Sequence, residues 1–549
     1  MGETPTVDLV EQIRAGYAFE GAALEVGAAV TDGTAHPDVT VRIPLSAMNR
    51  HGLVAGATGT GKTKTLQLMA EQLVEQGVPV FLADVKGDLS GMASPGVADD
   101  RVTARSADVG MEWTPTGYPV EFYSLGGQGT GVPVRAAVST FGPTLLAKVL
   151  GLNATQESSL GLVFHYADRE GLYLDTIADL RAVVQHLLSD EGKVELKGLG
   201  GLSTSTAGVI LRELVAFSDQ GADAFFGLPE FDTAHLLRTA ADGRGLVSML
   251  ELPAVQDRPR LFSTFLMWLL ADLFHDLPEV GDEGRPRLVF FFDEAHLLFD
   301  DASEDFLDAI QQTVRLIRSK GVGVFFVTQS PKDVPGDVLA QLGNRVQHAL
   351  RAYTPEDAAA LRAAVRTYPH TDYDLEELLT SLGTGEAVVT VLSEKGAPTP
   401  VAWTRMRAPQ SLMSPSPAGV VEAAVAASPL QAEYGAALER DSALEQLDTA
   451  RAERERADAE AAAAEERARA DAASAEEAEK ARAAAEKAAA KERAAAAKAA
   501  QRAAEKRAQE PGVVEQVVKS SAFRSALRSA GTVIGREITR SIFGTSRRR

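Results

Sequence analysis

The chain has 549 residues, 45% hydrophobic and 24% charged, which excludes a fibrous or wholly disordered protein and leaves room for more than one core. It contains no cysteine, so disulfides and thiolate metal sites are excluded, and a reducing, cytoplasmic location is expected. The net charge of −21 is unevenly spread: residues 1–450 carry −27, residues 451–510 are neutral and residues 511–549 carry +6, so any contact between the body and nucleic acid needs a locally basic groove, pore or tail.

Residues 1–45 form an N-terminal segment without a basic region followed by an apolar run, so no secretory signal is expected. Met1, Gly2 and Thr6 fit the loose myristoylation pattern, but an ordinary chain start is the expected reading. Up to about residue 400, short β-rich runs alternate with helix-period segments, the pattern of an α/β domain on a mostly parallel sheet. Strands are expected at Gly52–Gly56, Val78–Asp84, Val120–Ser124, Leu246–Leu250, Leu288–Asp293, Val322–Thr328, Arg345–Leu350 and Glu386–Leu392. Several are apolar throughout, as strands covered on both faces must be.

After the first of these strands, Gly56, Ala57, Thr58, Gly59, Thr60, Gly61, Lys62 and Thr63 spell a complete phosphate-binding loop. The loop opens a helix with apolar positions at Leu66, Met69 and Leu73, and Gly77 ends it. Glycines let backbone N–H groups wrap phosphates, and the helix N-terminus adds its positive dipole end. These eight residues and Lys64 are the expected ATP-binding set, with Lys62 on the β- and γ-phosphates and the Thr63 hydroxyl on Mg²⁺. The run Gly126-Gly127-Gln128-Gly129-Thr130-Gly131 lacks the following Gly-Lys-Ser/Thr and reads as a plain loop.

Between about 140 and 240 a helical insertion is expected, with helices at Leu145–Leu150, Gln156–Asp168, Thr176–Leu188 and Thr206–Ser218. Leu261–Phe274 is the longest apolar stretch, too short to cross a bilayer and interrupted by Ser263, Thr264 and Asp272, so it reads as a buried helix and no integral membrane segment is expected. The strand ending at Asp293 and Glu294 supplies the acidic partner of the phosphate loop: Asp293 to hold Mg²⁺ through water, and Glu294 to polarise the attacking water as general base. Gln329, ending another strand, is placed to sense the γ-phosphate, although a surface glutamine fits that position too. Asp84, Lys86 and Asp88 are expected along the same edge, where ligands of parallel sheets gather. For an arginine reaching a neighbouring subunit's γ-phosphate the candidates are Arg345, Arg315 and Arg318; Arg345 is preferred, because the other two fit the solvated face of a helix.

The ATPase body is expected over 46–407, and the Pro- and Ser-rich residues 408–418 read as a linker. Residues 419–510 are assigned to a long Ala/Glu/Arg/Lys helix or loose coiled coil, a solvated single helix being favoured because large apolar residues are nearly absent after Leu447. Residues 511–549 read as a basic amphipathic tail suited to docking on protein or on an anionic membrane surface, with a protein partner expected.

Asn49-Arg50-His51-Gly52-Leu53-Val54-Ala55-Gly56, Thr65-Leu66-Gln67, Asp84-Val85-Lys86-Gly87-Asp88, Asp293-Glu294-Ala295-His296 and Leu342-Gly343-Asn344-Arg345-Val346-Gln347-His348 together resemble the HerA-like branch of the FtsK/HerA ATPases, particularly its bacterial YjgR-type members. The resemblance spans roughly 40–405 and touches Ile534-Gly535-Arg536 in the tail. It implies a RecA-like P-loop NTPase core, a homo-oligomeric ring of hexamer type, Mg²⁺-dependent ATP hydrolysis and translocation along double-stranded DNA. The alternative is an ATP-driven switch or scaffold that docks protein partners through its C-terminal helix. The letters Asp-Glu-Ala-His do not make a DEAH-box helicase: Asp293 lies 231 residues beyond Lys62 and no Gln-Arg-x-Gly-Arg motif follows. His296 is expected to pack beside the site rather than bind metal.

Overall fold

The computed structural model describes residues 8–196, 200–280, 284–299 and 304–507. Two units are distinguished, Met1–Ala452 and Glu453–Arg549. The first is an α/β body on a single sheet of β1 (Ala23–Thr31), β2 (Thr34–Pro44), β3 (Gly52–Ala55), β4 (Val80–Asp84), β5 (Val120–Leu125), β6 (Val132–Val134), β7 (Val247–Glu251), β8 (Leu288–Phe292), β9 (Val322–Thr328), β10 (Asn344–His348), β11 (Glu386–Thr390) and β12 (Ala402–Met406). Their spatial order is β2-β1-β12-β11-β10-β3-β9-β8-β4-β7-β5-β6. From β10 to β6 every pairing is parallel, and β11, β12, β1 and β2 continue the sheet as an antiparallel wing. This is the α/β core on a mostly parallel sheet that the alternation of strands and helices predicts.

The central strands are apolar on both faces because helices cover both. On one face Val54, Phe291 and Phe325 pack under Leu66 and Met69 of the helix Lys62–Glu75. On the other, Phe290, Phe292 and Phe326 meet the buried helix Pro259–Asp276, found where the apolar stretch predicts it. Phe291 and Phe325 stack at 5.3 Å between ring centroids and Phe292 and Phe326 at 5.8 Å, so adjacent strands are locked in register by aromatic pairs on both faces. The wing depends on Gly27, where a Cβ would lie 2.1 Å from the Arg405 carbonyl oxygen. The helical insertion includes Pro143–Val149, Ala154–Glu170, Ile177–Leu188 and Thr204–Asp219, and capping boxes start the second and third, Asn153 with Gln156 and Thr176 with Asp179.

Residues 408–418 are not a free connector. Ser411 and Ser416 are buried; Gln67 Nε2 donates to Ser411 Oγ at 2.6 Å and to the Leu412 carbonyl at 3.0 Å, and the Glu71 carboxylate accepts from Gln410 N at 2.8 Å and Ser411 N at 2.9 Å. Serines that would solvate a linker here satisfy buried polar groups instead. The chain then forms the short helices Ala418–Ala427 and Gln431–Tyr434, buries Tyr434, and clamps Arg440 to Asp175 through two hydrogen bonds of 2.7 and 2.6 Å. The body therefore continues past residue 407, and the long helix begins only at Ala443.

That helix, Ala443–Arg507, has 65 residues and a length of about 100 Å at the α-helical rise. From Glu453 to Lys506 every side chain is exposed. The basic tail 511–549 and the Met1, Gly2 and Thr6 pattern lie outside the described residues. Among the described residues no helix is long and apolar enough to cross a membrane.

Candidate functional site

The phosphate loop leaves β3 and is pinned by the strands on either side. Gly56 N donates to the Thr328 carbonyl at the end of β9 (3.2 Å), Ala57 N to the Ala349 carbonyl just beyond β10 (2.8 Å), and Gly385 N to the Thr60 carbonyl (2.9 Å). Gly61 caps the following helix at φ 112°, a left-handed conformation that favours glycine. Thr58 and Gly59 are exposed at the loop's tip, while Lys62 is buried and donates to the loop's own Ala57 carbonyl at 3.3 Å. Burial holds the Lys62 ammonium below its ordinary pKa, with the nearby Glu294 and Asp293 charges opposing that shift.

A buried histidine braces the loop from beneath. His348 Nε2 lies 2.9 Å from Thr65 Oγ1 and Nδ1 lies 2.9 Å from the Glu386 carbonyl. Burial drives its pKa down to about 4, so the ring is neutral; Nδ1–H donates to the carbonyl and Nε2 accepts from the threonine. Sequence reasoning placed His348 in a family-like stretch but gave it no role, because its partner, 283 residues away in sequence, is reached only through the β3–β10 pairing.

The acidic pair ends β8. Strand order sets the geometry: β9 lies between β3 and β8, so Asp293 and Glu294 emerge about 10 Å from the phosphate-loop strand, at the same sheet edge. Gln329 follows β9 in the gap between them and lines a cavity of about 540 Å³ with Ala57, Thr58, His296 and Arg351. The structure thus brings together Lys62, Asp293, Glu294 and Gln329.

Asp293 is 2% exposed; its Oδ1 accepts from Glu294 N at 2.9 Å, but its Oδ2 has no hydrogen-bond partner. Burial and the neighbouring Glu294 push its carboxyl up to about 7. A buried, unsatisfied carboxylate oxygen is what a hard cation's hydration shell or a coordinating metal would satisfy, so the residues present fit Mg²⁺ held by Thr63 and Asp293. Glu294 takes a left-handed backbone (φ 47°, ψ 49°), rare for a residue with a long side chain. Its carboxylate is paired with Lys86, and His296 Nδ1 stands 3.2 Å from it. Burial pushes the Glu294 carboxyl up, but the Lys86 hydrogen bond and charge outweigh it and hold the group below its ordinary value.

Four expected residues stand elsewhere. Asp84 does not face the cleft: its carboxylate caps the turn after β4, accepting from Gly87 N at 2.7 Å and Leu89 N at 2.8 Å. Arg345 is not brought to its own chain's phosphate loop; it pairs with Leu53 inside the sheet and donates to Thr367. Arg315 lies exposed on the helix Glu304–Ile317 and Arg318 just after it, matching a solvated face.

A family model described as helicase HerA-like C-terminal matches residues 30–549. The DNA double-strand break repair helicase HerA of Saccharolobus solfataricus is 22% identical over 358 residues, and that of Sulfolobus acidocaldarius 20% identical over 356; each match covers 64% of this chain and 64% of the relative. The chain thus matches less than two thirds of the length of those relatives. Among solved structures, the plasmid coupling protein TrwB in complex with a non-hydrolysable ATP analogue aligns with 72% of this chain and 99% of its own at 17% identity and a TM-score of 0.46.

Proposed function

Since the chain belongs to the HerA-like helicase C-terminal family, we propose that it is a Mg²⁺-dependent ATPase that works as a ring and moves double-stranded DNA. The observation that carries the hydrolytic part is the meeting of a buried lysine on a phosphate loop with a buried Asp-Glu pair two strands away, with Gln329 on the strand between them. Backbone N–H groups of Gly56 to Thr63 and the helix N-terminus receive the phosphates, and Lys62 neutralises charge on the β- and γ-oxygens. Thr63 and Asp293 would hold Mg²⁺, which supplies further neutralisation of the triphosphate when bound. Glu294 accepts a proton from water as the water oxygen attacks the γ-phosphorus; the bond to the β–γ bridging oxygen breaks and ADP leaves with that electron pair. Gln329 orients the water or the γ-phosphate through its amide. Arg345 is the proposed arginine for a neighbour's γ-phosphate, a role that requires it to leave Thr367.

The charge of −27 on residues 1–450 supports a second reading, an ATP-driven switch that docks a protein partner through the long helix, because an acidic body repels DNA phosphates. Adding double-stranded DNA to a hydrolysis assay separates the two. Stimulation supports the motor; a rate indifferent to DNA across lengths and salt concentrations replaces it with the switch.

A further inference from the structure

A single side chain stands behind two of the phosphate loop's ties to the sheet. His348 ends β10 on the face that Val346 presents to the phosphate-loop helix, and it is fully buried. The next residue, Ala349, accepts from Ala57 N. The ring's Nδ1 bonds the carbonyl of Glu386, the residue after Gly385, whose N–H holds the Thr60 carbonyl. Nε2 lies 2.9 Å from Thr65 Oγ1, in the first turn of the helix that begins at Lys62. The loop is wound closely on this ring: a Cβ at Gly56 would lie 2.5 Å from His348 Cβ, and one at Gly61 would lie 3.6 Å from its Cε1.

Stability alone does not ask for a histidine here. Val346, two residues earlier on the same face, packs by apolar contact, and the hydrogen bonds of a buried polar group add little net free energy because folding exchanges them for bonds to water. What such bonds fix is position. With Nδ1–H given to a carbonyl, Nε2 of the neutral ring accepts from the Thr65 hydroxyl. That hydroxyl is thereby kept from the Gly61 carbonyl one turn back, to which a helical threonine otherwise donates and to which Thr65 N is already bonded. The Gly61 carbonyl is left to the helix backbone, at the turn from which Lys62 projects.

We propose that His348 is a positioning residue for the ATP phosphates, acting through Thr65 and Glu386 to hold the loop Gly56–Thr63 in its phosphate-binding path. The inference rests on the phosphate-loop reading above. Its test is titration of the full chain with a fluorescent non-hydrolysable ATP analogue and Mg²⁺, beside melting temperature and steady-state hydrolysis. Loss of one hydrogen bond to a buried group corresponds to about tenfold in an equilibrium constant. His348→Phe fills the volume without bonding, and Thr65→Val keeps the branched shape without the hydroxyl; each is expected to weaken binding about tenfold. Thr65→Ser is expected to bind like wild type, and His348→Phe/Thr65→Val no more weakly than His348→Phe alone, because both substitutions remove one contact. KM should follow the analogue's affinity while kcat stays within about twofold, since the loop grips the phosphates in ground state and transition state alike. A Thr65→Val variant that binds like wild type, a Thr65→Ser variant as weak as Thr65→Val, or losses that add in the double variant overturn the proposal. A lowered melting temperature with unchanged affinity overturns it too, leaving His348 a packing residue. If His348→Phe does not fold, the two Thr65 variants decide alone. A wild-type chain that binds no analogue overturns the phosphate-loop reading as well.

Discussion

Glu71→Ala tests the claim that residues 408–418 belong to the body. Glu71 stands on the phosphate-loop helix, 1% exposed, and its carboxylate accepts from Gln410 N, Ser411 N and Ser411 Oγ. Truncation leaves one buried and one partly buried backbone N–H group without acceptors, at about 1–3 kcal/mol for each such group, while Ser411 Oγ keeps its bond from Gln67. Against this stands the relief of a buried carboxyl whose pKa burial has pushed up to about 7. The net expectation is a loss of about 3 kcal/mol, with Glu71→Gln, which keeps one acceptor oxygen, losing about half as much. Urea unfolding followed by tryptophan fluorescence gives the difference, and limited proteolysis should show new cleavage within 408–418. A loss under about 1 kcal/mol without new cleavage would mean that the segment is a tethered linker after all.

Two further expectations concern the site. Burial raises Asp84 to about 6, Asp293 to about 7 and Glu251 to about 8, all above their unfolded values, so the stability they contribute is full below the unfolded pKa values and is lost as pH rises through the folded ones. The melting temperature of the nucleotide- and Mg²⁺-free protein should therefore fall between about pH 5.5 and 8.5, and one that rises across that window contradicts the electrostatics. Gln329→Ala should lower kcat by about a hundredfold with KM within about threefold, the signature of an amide that acts in the transition state; an unchanged kcat would mark Gln329 as a surface residue.

The core strands were legible because β8 and β9 are runs of Phe and Val buried on both faces, and the phosphate loop because its glycines and lysine stand at fixed spacing. Of the wing, β11 was expected at Glu386–Leu392, but β1, β2 and β12 were missed. β1 contains Gly27 and three alanines, residues of weak strand signal that are there because the β12 backbone approaches closely, and β6 is three residues centred on Pro133. The boundary at 407 was misplaced because Pro and Ser mark turns whether exposed or buried, and nothing local reveals that Gln67 and Glu71 await Ser411. Lys86 was read as an edge residue; its pairing with Glu294 follows from β4 lying beside β8, a neighbour relation that spacing along the chain does not encode.

The central claim is that the loop at Gly56–Thr63 and the pair Asp293–Glu294 form one hydrolytic site. Its most direct test is Mg²⁺-dependent ATP hydrolysis by the purified full chain beside Lys62→Ala and Glu294→Gln, with nucleotide binding measured in parallel. The account predicts that Lys62→Ala loses binding and hydrolysis together, while Glu294→Gln binds ATP normally and turns it over at least about a hundredfold more slowly. A Glu294→Gln variant that hydrolyses ATP at the wild-type rate would contradict it.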